Sequence, residues 1–582
     1  MRIAVALLLV SALTAPTQVC TLYCDTRDPS LAHQETFPVG TKVLNGRQVR
    51  LHVDEADGMA WASIDNGVLN DSVWLDRSWD GGKTWDGLLG KAAIPGSWTG
   101  TRTLMFNMYD PSHHRRGVVR ACGDAQGVGC TEWAYTNVCD QFCDGRDAGS
   151  AAGDTQPVPA ATLNGRRFSL HVDNTGMAWT AVAGGRAGDE VWLDRSWDAG
   201  ASWPDGSSLG RTTNSRTAMY ATRDPRGWLY GGAVRACGRA VEGQNGSCTA
   251  WARPAADPVS AATEALAADY DPATGWWPSS WWNSAVALTT LTDSLARTGN
   301  TGLRWMIDRT FTVNRGTFPA GQRGSDPIEG DFRSRAIDDT AWWGLAWLNA
   351  YDLTRDRRYL DEAVVIADYV GGYWDTGTCG GGVWWDRERT YKNAVTNGLW
   401  VRLTAALHNR LPGDTAWLAR ARTAWTWLDH SGMINSSGLV NDGLTSSCAN
   451  NGGTVWSYNQ GLAIGGAVEL WRATGDTSVL DRARTLAGAA VTSPALTRNG
   501  ILTESCEPNC DDNAKQFKGV FARYFGEFAR ATGSYQDYAR RQAEAAWSTR
   551  DSLNRLGLRW SGQAPNPQDW RTQASALAAL LW

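Results

Sequence analysis

The sequence predicts a multidomain chain: two tandem small all-β disulfide-bonded modules, then a larger all-α domain in which inner and outer helices stack as a toroid, the (α/α) barrel arrangement. Three observations predict it. The first 253 residues contain an internal duplication, the pattern then turns helical to the end, and twelve cysteines mark an oxidising compartment. A chain of 582 residues also exceeds what one hydrophobic core holds, since cores seldom grow past roughly 250 to 300 residues.

The chain opens MRIAVALLLVSALTA, one arginine, an apolar run and small residues, which reads as a secretory signal peptide over residues 1–19 with its cleavage point left open. The run is too short to cross a bilayer, and neither a later span of about 20 apolar residues nor an anchoring tail follows. The expectation is therefore a secreted, extracellular protein with no membrane anchor. Cys20 reads as a disulfide cysteine rather than a lipid anchor.

The β modules are placed at 20–136 and 137–253. LNGRQVRLHVDEADGMAW from Leu44 returns as LNGRRFSLHVDNTGMAW from Leu163, and VWLDRSWDGGKTW from Val73 returns as VWLDRSWDAGASW from Val191, an offset of about 118 residues. Cys20, Cys24, Cys122 and Cys130 correspond to Cys139, Cys143, Cys237 and Cys248, so each module carries two bridges, though the spacing does not choose among three pairings. Short alternating runs such as RLHVD and SVWLDRSW, separated by Gly, Asn and Asp turns, give strands. Ser78–Trp85 and Ser196–Trp203 resemble the Asp-box of β proteins, in which the aspartate ties a turn to its own backbone.

RPAADPVSAA lies in an expected linker, 254–270, and the helical domain is placed at 271–582. Asp338–Tyr351 and Ala394–Leu407 are apolar nearly all round and read as buried inner helices. Arg357–Val370 has one apolar stripe, Leu360, Ala363, Val364 and Ala367, and reads as an outer helix. Helical pairs begin near Asp338, Lys392, Val455 and Lys515, about 60 residues apart, for ten to twelve helices in all.

A net charge of −5 with interspersed signs gives no basic face, which excludes nucleic acid as a partner. The seven histidines show no metal-ligand spacing, and the CxxxC at Cys506 and Cys510 has no histidine beside it, so neither a metal nor a cofactor is expected. The outstanding figure is 33 tryptophans, many as neighbours. Core packing absorbs most of them, but clusters beside Gly-rich and polar segments suit stacking on pyranose rings.

Glycan cleavage needs two carboxylates, and the adjacent Asp338 and Asp339 are the candidates. Aspartates at a helix start more often cap free N–H groups. A second acid at the mouth of a buried helix carrying Trp342 and Trp343 calls for another reason. Neighbours on a regular helix diverge by about 100°, so the pair converges only at an irregular helix entrance. That condition is met if Asp338 is the half-helical cap and Asp339 begins the first turn. Their proximity would then push one acid up, leaving a protonated acid beside an ionised nucleophile.

Five strings in order, AIDDTAWWGLAWLNAYDLT, CGGGVWWDRERTYKNAVTNGLW, GLVNDGL, WSYNQGLAIGGAVEL and CDDNAKQFKGVFARY, resemble glycoside hydrolase family 76, the endo-α-1,6-mannanases, from about Trp277 to the C-terminus. The resemblance implies an (α/α)6 fold and a retaining double displacement, with Asp338 as nucleophile and Asp339 as acid/base. It implies an α-1,6-mannan substrate; a monomer is expected. Around the pair, Trp342, Trp384, Trp385, Lys392, Asn393, Asn397, Asp442, Tyr458, Asn459 and Gln460 are candidate substrate-binding residues, with Lys518 a weaker one. For the polar members a satisfied internal network is the competing reading. Gly380, Gly381 and Gly382 would let backbone approach a sugar. Cys379, Cys448, Cys506 and Cys510 would pin the groove rim; the short spacing permits a 506–510 bridge, leaving 379 with 448. The family often has an acid where this chain has Gly398. Transglycosylation of mannan-type glycans and a non-catalytic glycan-binding role are the alternatives, and the duplicated modules are expected to bind glycan or to act as spacers.

Overall fold

The computed structural model describes residues 25–582 apart from 33–34, 55–57, 80–81, 111–114, 135–144, 146, 152, 175, 205, 223–231, 255–256, 300–302 and 319–327. The expected signal peptide, Cys20, Cys24, Cys139, Cys143, Asp80 and the 136/137 boundary lie outside the described residues.

Up to Arg253 the described secondary structure is strands with two short 3-10 turns. Arg47–Asp54 pairs antiparallel with Met59–Asp65, and the equivalent Arg166–Val172 pairs with Met177–Ala183. A second sheet places Ser72–Ser78 between Asp86–Ala93 and Val118–Asp124, with Val128–Cys130 at the edge. The same order recurs as Glu190–Ser196 between Leu209–Thr212 and Ala233–Arg239, with Gly246–Cys248 outermost. Alternating residues Val49, Leu51 and Val53 turn inward onto Val73, Leu75, Val119 and Ala121 to make the first core. Cys122 and Cys130 are cross-strand partners and form a disulfide, as do Cys237 and Cys248.

The duplicated tryptophans have a packing role that the sequence pattern does not reveal. Arg120 lies between Trp85 and Trp133, its guanidinium carbon 4.8 and 4.5 Å from the ring centroids, while its nitrogen meets Asp76 at 2.8 Å. Arg235, Trp203, Trp251 and Asp194 repeat the arrangement, with both ring distances at 4.5 Å and the ion pair at 2.8 Å. These are cation–π stacks that staple the Asp-box turn to a central strand. In that turn the Asp198 carboxylate accepts the Ser202 N–H at 2.7 Å.

The helical region contains α1 (Pro258–Ala267), α2 (Trp281–Thr298), α3 (Trp305–Asn314), α4 (Ile337–Thr354), α5 (Arg357–Gly371), α6 (Ala394–Arg410), α7 (Ala416–His430), α8 (Ser457–Thr474), α9 (Thr477–Thr492), α10 (Phe517–Thr532), α11 (Gln536–Ser548) and α12 (Trp570–Leu580). Helices α2, α4, α6, α8, α10 and α12 are buried along most of their length, and each packs on the next, with α12 returning to α2. Helices α5, α7, α9 and α11 bury one side only. Small residues set the close approach of the inner helices: a Cβ on Gly461 would stand 2.6 Å from the Phe521 Cα, and one on Gly519 would stand 2.5 Å from the Ser575 Cα. Gly398 is likewise closed in, 2.9 Å from the Leu462 Cβ, so this chain has no room for an acid there.

The expected linker is different. Its second half is α1, started by Asp257, whose carboxylate accepts the Ser260 N–H at 2.9 Å, with Pro258 in the first turn. Ala261, Ala262 and Leu266 are buried, and Gln573 of α12 donates to the Ala262 carbonyl at 2.9 Å. The alanine-rich segment after Pro258 therefore belongs to the helical core. The chain just before it is also held: the Arg253 N–H donates to the Ser552 carbonyl at 2.8 Å, and Asn554 donates back to the Arg253 carbonyl at 2.9 Å.

Candidate active site

An open cavity of about 900 Å³ is lined from the N-terminal ends of α2, α4, α6, α8 and α10, through Trp282, Asp338, Asn393, Tyr458 and Phe517 among others. Five helix dipoles thus present their positive ends to one space, which favours anionic groups there. Both candidate carboxylates line it.

Asp338 and Asp339 occupy the first turn of α4, but neither is its cap. The cap residue is Ala336, with extended backbone (φ −79°, ψ 119°) and no side-chain cap bond. The expected half-helical position of Asp338 is corrected accordingly: Ala336 is held by a β-bridge to Asp386, and the Ile337 N–H is taken by the Trp385 carbonyl at 2.7 Å. The cavity lies beyond the end of α4 rather than beside it, with Arg335, Ala336, Asp338, Asp339 and Trp342 all lining it. Successive side chains can therefore diverge and still both reach it.

Asp338 is pushed up to about 7, first by burial and further by the Asp442 charge, against hydrogen bonds from the Asp339 N–H and the Trp385 indole. Its Oδ1 is buried with no hydrogen-bond partner among the described residues. A carboxyl raised into the neutral range keeps a proton at higher pH than an exposed one, so the site offers a proton donor next to a second carboxyl.

Around the pair, Trp342 stacks on Trp282 with centroids 5.7 Å apart, and the Trp282 indole donates to Asn513 at 2.8 Å. Tyr458 lies flat on Phe517, 3.9 Å apart and 3° from parallel. Asp442 accepts from the Tyr391 hydroxyl at 2.7 Å, and Asn451 donates to that hydroxyl at 2.8 Å. Trp385 and Asn393 complete the set of candidates that line the cavity; Asn393 also caps α6, accepting the Thr396 N–H at 3.2 Å.

The other candidates do not line it. Lys392 is buried and donates to the carbonyls of Asp375, Thr378 and Gly381 at 2.8, 2.6 and 2.6 Å, so its ammonium ties down the Gly-rich loop. Trp384 packs over that ammonium at 4.7 Å. Asn397 accepts the Val383 N–H and donates to the Val383 carbonyl, and Gln460 joins Val440, Gly438 and Leu486. These polar groups make an internal network, because a buried amide or ammonium must find partners wherever the fold supplies them. Asn459 is buried, with neither amide atom partnered among the described residues. Lys518 is buried against Glu507 at 2.6 Å and the Leu558 carbonyl at 2.6 Å. Gly381 and Gly382 do not approach the cavity but the Trp427 ring, where a Cβ would meet ring atoms at 2.5 and 2.4 Å.

Disulfides join Cys379 to Cys448 and Cys506 to Cys510, and Cys506 lines the cavity. Sequence reasoning missed Tyr391, Trp456, Phe517 and Asn513 as lining residues. Trp281 and Trp282 were visible as an adjacent pair; the others sit inside motifs whose polar members drew attention instead.

Two adjacent carboxylates lining an open cavity beside Trp281, Trp282, Trp342, Trp385 and Trp456 are the groups that a carbohydrate-cleaving site calls for. The chain belongs to glycosyl hydrolase family 76, whose model matches residues 262–581. It is 25% identical over 289 residues to the mannan endo-1,6-alpha-mannosidase DFG5 of Candida albicans, covering 46% of this chain and 62% of that protein. It is 28% identical over 275 residues to DCW1 of the same yeast, another mannan endo-1,6-alpha-mannosidase, covering 43% and 58%. The chain thus spans about three fifths of these curated relatives. Among solved structures, an inactive variant of the alpha-1,6-mannanase GH76A of Salegentibacter in complex with alpha-1,6-mannotriose aligns with TM-score 0.48 and 24% identity, over 56% of this chain and 97% of that one.

Proposed function

We propose that the chain is a secreted, endo-acting glycoside hydrolase of α-1,6-mannan that works with retention from an (α/α)6 barrel. The observation that carries this is that Asp338 and Asp339 both line the cavity, within a family 76 domain. The names of the curated relatives supply the linkage. Asp338 attacks the anomeric carbon while Asp339 protonates the departing glycosidic oxygen; water, deprotonated by Asp339, then displaces Asp338 with the same overall configuration. The retaining route asks for carboxyls about 5 to 5.5 Å apart. Trp282 and Trp342 offer stacked indole faces to the sugar rings, and the Tyr391–Asp442 pair offers hydroxyl partners.

One observation favours a second assignment. Asp338 is the acid held up to about 7, which suits a proton donor, and with the roles exchanged Asp339 would be the nucleophile. Linear α-1,6-mannan incubated with wild type, Asp338→Asn and Asp339→Asn decides, with product size and anomer followed by NMR. The proposal expects shorter α-products from wild type and at least 1,000-fold losses in both variants, on the order of 4 kcal/mol of barrier. Trapping a covalent glycosyl adduct and locating it on residue 338 or 339 separates the two assignments. Full activity in both variants would sink the site, and an inverted first product would sink retention.

The repeated β-sheet arrangement supports reading residues 20–253 as two tandem modules, and we propose that they hold the enzyme on glycan. Trp98 and Trp85 of the first copy are 67% and 49% exposed, which is the aromatic surface such binding requires.

A further inference from the structure

We propose that Glu504 is a positioning residue for the cavity, capping α8 from a neighbouring segment and so fixing the wall that carries Trp456 and Tyr458. This rests on the glycosidase reading of that cavity. Helix α8 starts without a cap of its own: the cap residue is Trp456, whose indole accepts nothing, and no side-chain cap bond is made there. Free N–H groups at a helix start need an acceptor. Glu504 supplies it from outside the helix, its Oε1 taking the Ser457 N–H at 3.1 Å and the Ser457 hydroxyl as well. Trp456 and Tyr458, on either side of that serine, both line the cavity.

The segment that carries Glu504 also reaches the cavity. The Glu504 N–H donates to Glu507 at 3.1 Å, Glu507 pairs with Lys518 of α10 at 2.6 Å, and Cys506 and Asn509 from this segment line the cavity. Glu504 is fully buried, and its Oε2 meets no partner among the described residues. A carboxyl that is desolvated for one serine has a cost that packing alone does not recover. Burial pushes it up to about 7; Lys518 and the Ser457 bonds pull the other way, and Glu507 adds to the rise. Tyr458 in turn feels the charges of Asp442, Asp338 and Glu504. Glu504 itself touches no substrate; it acts through Ser457.

The test uses the full-length chain with Glu504→Gln, Glu504→Ala, Ser457→Ala and the double variant Glu504→Ala/Ser457→Ala. Kinetics are read on α-1,6-mannooligosaccharides, and amide hydrogen exchange is read at residues 457–460. We expect Glu504→Ala to speed exchange in the first turn of α8 about 10-fold or more and to raise KM by a similar factor. Ser457→Ala should do the same more weakly, and the double variant should show less than the product of the two effects. Glutamine keeps an acceptor for the Ser457 N–H and should restore both readouts to within about 3-fold of wild type. Unchanged exchange and KM in folded Glu504→Ala overturn the inference, as do effects that multiply independently. If Glu504→Ala does not fold, Ser457→Ala with exchange and KM both unchanged overturns it equally. A wild type without hydrolytic activity sinks the glycosidase reading instead, and the exchange data then decide the capping claim alone.

Discussion

At the scale of single residues, the electrostatics of the cavity turn on Asp338 and Asp442. Burial is the larger cause of the high Asp338 value and the Asp442 charge the next cause that raises it. Replacing Asp442 by Asn removes a negative neighbour, which makes ionisation of Asp338 easier and lowers its pKa. The limb of the kcat/KM profile governed by Asp338 should therefore move to lower pH in Asp442→Asn, whichever catalytic role Asp338 takes. The Tyr391 hydroxyl also loses a charged acceptor, so the plateau should fall by roughly tenfold or more. A pH profile from about 4 to 9 reads both effects; a limb that stays put or moves to higher pH would contradict the pairing. The carboxylate pair itself was legible as sequence, since two acids ahead of an all-apolar helix are costly. The surrounding amides were not, because Lys392, Asn393, Asn397, Asn459 and Gln460 look alike along the chain. Only the packing separates Asn393, which lines the cavity, from Lys392, which holds a loop.

At the scale of elements, the inner helices were read as apolar all round, and that reading hid a charged belt. Arg402 of α6 meets Glu527 of α10 at 2.8 Å and Glu469 of α8 at 3.4 Å, with all three buried. Arg523 of α10 pairs with Asp293 of α2 at 2.6 Å, and Asn349 of α4 donates to Asp293 at 2.8 Å. None of these groups lines the cavity, and each was one polar letter in a hydrophobic string. Such a pattern specifies burial, whereas the partners lie on other helices and leave no local trace. Arg402→Met would remove the most buried cation between Glu469 and Glu527, leaving Arg472 to bridge the two acids at 2.9 and 3.3 Å. The expected loss of stability, measured by urea or thermal unfolding, is therefore below the roughly 3 to 5 kcal/mol of a buried pair broken outright, and Glu469→Gln placed on top should recover part of it. The caps do leave a local trace in the sequence: Asp356 and Asp476 precede α5 and α9 and accept the Arg358 and Ser478 N–H groups at 3.0 and 2.9 Å. Helix α1 was missed because the Pro and Ala-rich string that starts it was read as a linker, although proline in a first turn is compatible with a helix.

At the scale of the whole molecule, three acids of the helical region, the half-buried Asp338 and the buried Glu362 and Glu504, are each pushed up to about 7, with desolvation the leading cause in every case. A raised folded-state value means that between the ordinary carboxylate range and about pH 7 the folded chain binds protons that the unfolded chain has released. Stability from these groups is then fully present below about pH 4 and is lost as pH rises towards about 7. Groups shifted the other way do not cancel this inside the window. Asp375, held down to about 2 by the Gly377 N–H with help from Lys392, and Glu469, held down by Arg402 and Arg410 against its burial, give up their contribution only at lower pH. His52, lowered by burial, acts in the opposite sense, since protonation of the unfolded imidazole costs stability as pH falls below about 6.5. The comparison of variants removes that background. Thermal unfolding followed from about pH 5 to about pH 8 should show wild type losing more stability than Glu504→Gln across the same interval, because glutamine carries no proton to release. Equal slopes in the two proteins would mean that Glu504 is already ionised throughout that range.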